Sequence, residues 1–112
     1  MHRTAPLSQV ELEEELMRLM SMLEDETEAF EFLATDAAKK EALYKSNWAK
    51  MYISSVGPVR EREARCDQVM SEMLYDYKIS EALVKAKREK LTSLRTSIDA
   101  LRTLNANIRA QV

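Results

Sequence analysis

The chain has 112 residues, with one Gly, two Pro, one Cys and one His, and a formal net charge of −2. That length suits a single domain, and so few Gly and Pro leave few turns. A lone cysteine excludes an internal disulfide and suits a reducing compartment, and a lone His2 excludes sites built from several histidines.

Helix-forming residues dominate, and strand-like alternation is nowhere sustained, so the fold class expected is all-α. No apolar run approaches the ~20 residues of a membrane span. The first residues, Met1 to Leu7, lack the apolar core of a secretory signal and are expected to be a disordered N-terminus over 1–7. A soluble, cytoplasmic protein is the expectation.

In chain order, Leu7-Ser8-Gln9-Val10-Glu11-Leu12 reads as a helix start. Ser8 is the N-cap and Glu11 its reciprocal partner in a capping box, with Leu7 and Leu12 as a hydrophobic staple. The first helix carries an apolar seam at Leu12, Leu16, Leu19, Leu23, Glu26, Phe30, Leu33 and Ala37. The pattern favours one helix over residues 8–54, with a kink at Thr35-Asp36 as the alternative. Ser54-Ser55-Val56-Gly57-Pro58 is the one clear break, giving a turn at 55–57: Gly57 suits a helix end and Pro58 a first helical turn. A second arm over 58–112 carries a seam stepping by four and three: Cys66, Met70, Met73, Tyr77, Ser80, Val84, Lys87, Leu91, Leu94, Ile98, Leu101, Asn105, Ile108 and Val112. This heptad pattern predicts an uninterrupted helix packed along another. Cys66 falls on the seam, as a small core residue does.

Folding the chain at Gly57 pairs residues whose numbers sum to 113 or 114. Leu12 then meets Leu101, Leu16 meets Ile98, Leu19 meets Leu94 and Leu23 meets Leu91. Further along, Ala37 meets Tyr77 and Tyr44 meets Met70. The polar interruptions coincide as well, Glu26 with Lys87, and the acidic first arm lies beside the basic stretch from Lys85 to Arg102. One register thus matches apolar with apolar and acid with base. The predicted architecture is a long antiparallel helical hairpin, coiled-coil-like, forming one domain over 8–112.

Two helices have too little interior for all the apolar residues. Met17, Met20, Phe32, Leu74, Ile79, Leu83 and Leu104 fall outside the seam and form a candidate oligomer interface. Two hairpins packed as a homodimeric four-helix bundle would cover them. A monomeric three-helix bundle is the competing arrangement. Around the turn, Lys45, Trp48, Lys50, Tyr52, Arg60, Arg62 and Arg65 make a basic, aromatic tip. Bases of this kind track phosphates and aromatic rings stack on unpaired nucleobases, although the same aromatics also suit a helix core. The acidic tract Glu24 to Glu28 lacks the turn of a calcium loop, and one Gly cannot build a phosphate loop. No catalytic, metal or cofactor site is expected, and the chain is expected not to be an enzyme.

Several stretches have a familiar pattern: Tyr44-Lys45, Ala49-Lys50, Ser55-Val56-Gly57-Pro58-Val59-Arg60-Glu61-Arg62-Glu63-Ala64, and the ending from Ile98 to Ala110. They resemble a family of small helical bacteriophage proteins, over roughly the last seventy residues. Gly57-Pro58 at the turn departs from that family's form, in which Gly precedes a Ser/Thr-Val pair, so the turn geometry is not carried over. Members of this kind are often found among replication and recombination functions. The resemblance implies a phage-encoded, non-enzymatic assembly or adaptor protein in the cytoplasm of a bacterial host. It would bind a protein partner in DNA replication or recombination. Direct nucleic-acid binding at the tip is the alternative.

Overall fold

Ser8 opens the first helix, as its sequence suggests. The Glu11 amide donates to Ser8 Oγ at 3.2 Å, and the Leu12 amide donates to the Ser8 carbonyl at 3.0 Å. The first satisfies one of the amides a helix start leaves without an intrahelical partner, and the second is the first bond of the helical ladder. The computed structural model describes residues 8–111; Leu7, the outer half of the expected staple, Val112 at the end of the seam, and the rest of the 1–7 segment lie outside them.

The described residues are helical apart from a short connection. Helix α1 is Gln9–Ser54, α2 is Val59–Val69 and α3 is Ser71–Ala110. Helix α1 passes through Thr35 and Asp36 without interruption. There, Thr35 Oγ1 donates to the Glu31 carbonyl at 2.9 Å, which turns its hydroxyl back onto its own helix instead of capping a new one.

The connection turns at Gly57, whose φ of +118° is the one positive value among the described residues. That conformation crowds any Cβ against the backbone, which is why a glycine stands here. Pro58 follows at φ −62° and ψ 150°, one position ahead of the helix, at the N-cap of α2. Ser55 Oγ donates to the Met51 carbonyl at 2.8 Å and closes the end of α1.

The seam predicts an unbroken second arm, but the structure ends α2 at Val69 and starts α3 at Ser71. Met70 between them sits at φ −92° and ψ 9°, in the bridge region beside the helical basin. The Met70 amide still donates to Cys66 (2.9 Å) and its carbonyl still accepts from Leu74 (3.0 Å). The backbone ladder therefore runs through, and the interruption is a change of twist at one residue. A straight helix drifts by ~20° per heptad against a strict seven-residue repeat. Cys66 before this residue, Met70 itself, and Tyr77 and Ser80 after it are all buried.

The chain divides into two units. The terminal unit joins α1 up to Ala29 with α3 from Lys87 onward. Its centre is Leu19, Leu94 and Ile98, with Leu16, Met22, Leu23 and Leu101 packed around them. The predicted partners Leu19 and Leu94, and Leu16 and Ile98, thus share one cluster. Leu12 is fully buried, and Leu91 is 3 % exposed. Burying such a leucine contributes about 1.5–3 kcal/mol.

The turn unit, Phe30–Ala86, buries Ala37, Cys66, Met70, Tyr77 and Ser80. Ser80 is tolerated there because its hydroxyl donates to the Asp76 carbonyl at 3.0 Å. Tyr44 and Tyr77 also form a ring stack with centroids 6.0 Å apart. Helical side chains lean toward their own N-terminus. On antiparallel helices two such rings lean toward each other, and they meet although their Cα positions lie about one heptad apart in the simple register. Asn47 Nδ2 reaches Met73 Sδ at 3.6 Å with the same offset.

Candidate functional site

The register pair forms as the sequence predicts. Lys87 Nζ donates to Glu26 Oε2 at 2.6 Å, with both side chains mostly buried. Lys90, one turn further along α3, reaches the other oxygen of the same carboxylate at 2.9 Å. Hydrogen bonds from Lys87 first, and Lys90 second, hold the Glu26 carboxyl below the usual glutamate range. Arg109 and Glu13 make another cross-helix bridge of 3.0 Å in the terminal unit. The attraction between an acidic first arm and a basic later arm is realised in these contacts.

Around the turn, five of the seven basic and aromatic residues have partners within the unit. Trp48 and Tyr52, one turn apart on α1, stack with centroids 5.4 Å apart and planes within 7°. The Arg62 guanidinium lies 4.1 Å from the Tyr52 ring centroid and also donates to the Tyr52 carbonyl at 2.7 Å. It is at once a cation on an aromatic face and a cap on the last turn of α1. Arg65 donates to the Val56 carbonyl at 3.3 Å, and Trp48 Nε1 donates to Asp67 Oδ1 at 3.0 Å. Lys45 bridges to Glu41 at 2.6 Å, and that carboxylate holds the lysine above its ordinary pKa. Lys50 and Arg60 are exposed.

Of the candidate interface residues, Met17 and Met20 lie in the terminal unit and are 72 % and 48 % exposed. Leu104, also in the terminal unit, is exposed, as are Phe32, Ile79 and Leu83 of the turn unit. Leu74 is half-buried, so it contributes in part to the interior of its own unit. Met17 and Met20 line a groove of ≈ 870 Å³ between α1 and α3 of the terminal unit. Its floor includes Leu23 and Ile98, and its rims carry Glu24 and Glu28 from α1 and Arg95, Asp99 and Arg102 from α3. The rim charges escape a reading that follows the apolar seam alone. Their signal is a second stripe beside the first, with Met17, Met20, Glu24 and Thr27 on α1 and Arg95, Asp99 and Arg102 on α3, again stepping by three and four.

The turn unit holds a smaller groove of ≈ 370 Å³ lined by Lys40, Leu43, Val69, Met70, Glu72, Met73 and Asp76. Among the described residues, no group of three or more His, Cys, Asp or Glu side chains is placed to hold a metal ion. No helix among them is long and apolar enough to cross a membrane. Comparison with protein-family models, with curated proteins and with solved structures finds no match.

Proposed function

We propose that this chain is a non-enzymatic assembly protein that acts by binding another protein through the groove of its terminal unit. The observation that carries this reading is the exposure of Met17 and Met20 along a groove whose floor is apolar and whose rims are charged. Apolar surface rimmed by charge is the usual anatomy of a protein-binding face, and methionine adapts to a facing surface better than branched side chains do. The resemblance to small bacteriophage proteins supports a setting in DNA replication or recombination.

The test compares tagged wild-type chain with a Met17→Glu, Met20→Glu variant in affinity capture followed by mass spectrometry. Both substitutions fall on exposed positions, so circular dichroism is expected to show an unchanged fold. A captured protein present with the wild type and lost with the variant supports the reading. Identical capture profiles overturn it.

A second reading, direct nucleic-acid binding at the turn, draws on exposed Lys50 and Arg60 in the unit that also holds the Trp48–Tyr52 stack. It calls for binding to labelled single-stranded DNA that weakens steeply with salt and is lost in the Lys50→Ala, Arg60→Ala variant. Absence of binding near physiological salt removes it.

A further inference from the structure

The groove of the terminal unit has an unusual distribution of charge. Its α1 rim is acidic, through Glu24 and Glu28, and its α3 rim carries Arg95 and Arg102, with Asp99 between them. All five are exposed. Arg102 and Asp99 approach to only 4.0 Å, which leaves that pair weakly engaged. The stripe along each rim keeps the three- and four-residue spacing of a helix-packing seam, so each rim can receive a further helix. Two helices with two unfilled stripes need two more helices to complete a four-helix bundle.

We infer that the occupant of this groove is a second copy of the same chain, packed about a two-fold axis parallel to the helices. This rests on the reading of the groove as a protein-binding face and names its partner. Two two-fold arrangements bring the groove onto itself. With the axis across the helices, α1 faces α1 and α3 faces α3, so Glu24 and Glu28 oppose acids and Arg95 and Arg102 oppose bases. With the axis along the helices, α1 of each copy faces α3 of the other at unchanged height, so the acidic rim of each copy meets a basic helix, with Arg95 nearest Glu24 and Glu28. Like charges directly opposed disfavour the first arrangement and opposite charges favour the second. The methylenes of Arg95 and Arg102 can then lie over the Met17 and Met20 of the other copy, as arginine stems do on apolar surface. Self-complementarity of this kind is what an isologous interface requires.

The experiment measures mass by sedimentation equilibrium for the full chain and two charge-reversed variants, Arg95→Glu with Arg102→Glu, and Glu24→Arg with Glu28→Arg. The wild type is expected at twice its 12.9 kDa. Each variant alone is expected to dimerise on the order of tenfold more weakly, since the charge along one rim of each copy is reversed. An equimolar mixture of the two is expected to recover wild-type strength. Circular dichroism of each variant checks that the helices persist. A mixture that binds far more tightly than the wild type indicates the α1-on-α1 arrangement and overturns the inference. A monomeric wild type overturns it too. If that monomer still captures another protein through Met17 and Met20, the groove is a protein-binding face for a different occupant, and only the second-copy assignment falls.

Discussion

The terminal unit and the turn unit are built on the same heptad seam, yet they treat their polar groups in opposite ways. In the terminal unit the interior is aliphatic, around Leu19, Leu94 and Ile98, and charged residues bridge across helices or stand along an open groove. In the turn unit, aromatic rings and a thiol occupy the seam, and two arginines near the connection, Arg62 and Arg65, donate to backbone carbonyls. Arg62 is spent on Tyr52, Arg65 on Val56 and Trp48 on Asp67. A basic, aromatic composition therefore does not by itself make an outward-facing site. Residues that look most functional in sequence can be those that a tight connection between helices uses up, while plain methionines elsewhere remain available to a partner.

The contrast can be broken at its aliphatic side first. Leu12→Ala removes a fully buried side chain and is expected to cost about 2–5 kcal/mol of stability, read as a lower denaturation midpoint by circular dichroism. A loss below about 1 kcal/mol would mean that the terminal unit does not depend on its leucines. On the other side, Cys66 is fully buried. Cys66→Ser places a stronger polar group in the same space, with an expected cost of about 1–3 kcal/mol if the hydroxyl finds no partner. Trp48 is the only tryptophan and lies in the turn unit, so its fluorescence reports this loss. A neutral Cys66→Ser would show that the site accommodates a hydroxyl.

Gly57→Ala addresses the connection itself. A Cβ there would meet only Glu61 Oε2, at an ordinary 3.5 Å, so the cost is conformational, about 1–3 kcal/mol. Because α1 and α2 are otherwise unchanged, the variant should keep its helical circular dichroism and melt at a lower temperature.

The smallest effect expected is Glu26→Gln. The bound lysines lower the Glu26 pKa in the folded chain. Its contribution is therefore complete above the unfolded glutamate pKa and is lost as pH falls through the depressed folded value. The glutamine variant should be less stable near neutrality and should lose less stability than the wild type in acid. Parallel pH profiles for the two proteins would show that the bridge contributes nothing measurable.

Much of the helical architecture is readable directly from residue spacing. Ser8 announces the start of α1, Gly57 marks the turn, and the buried residues of α3 fall on the four-three seam because helix period and apolar period must agree. The Glu26–Lys87 pair is legible for the same reason, as the one charged residue in each seam. The Met70 twist is not, since it relieves an accumulated phase that no single residue displays. Nor is the Tyr44–Tyr77 stack, because a numerical register counts Cα positions while long side chains meet one another by leaning. The charged rims of the groove, marked only by a second stripe outside the seam, depend on which flank of each helix turns toward the other.

The Glu26 bridge has a consequence for how the chain finds its alignment. An apolar seam that repeats every seven residues is degenerate: sliding one helix past the other by a heptad places leucines against leucines again. In the terminal unit such a slip would put Glu26 opposite Leu94 or Ser80 in place of Lys87, leaving a mostly buried carboxylate and a mostly buried ammonium each without its counter-charge. A pair of this kind adds little to the depth of the native minimum, yet it lifts the neighbouring, slipped minima above it. Its clearest signature is then a loss of uniqueness: a variant with both residues made apolar could be as stable as the parent while populating more than one alignment.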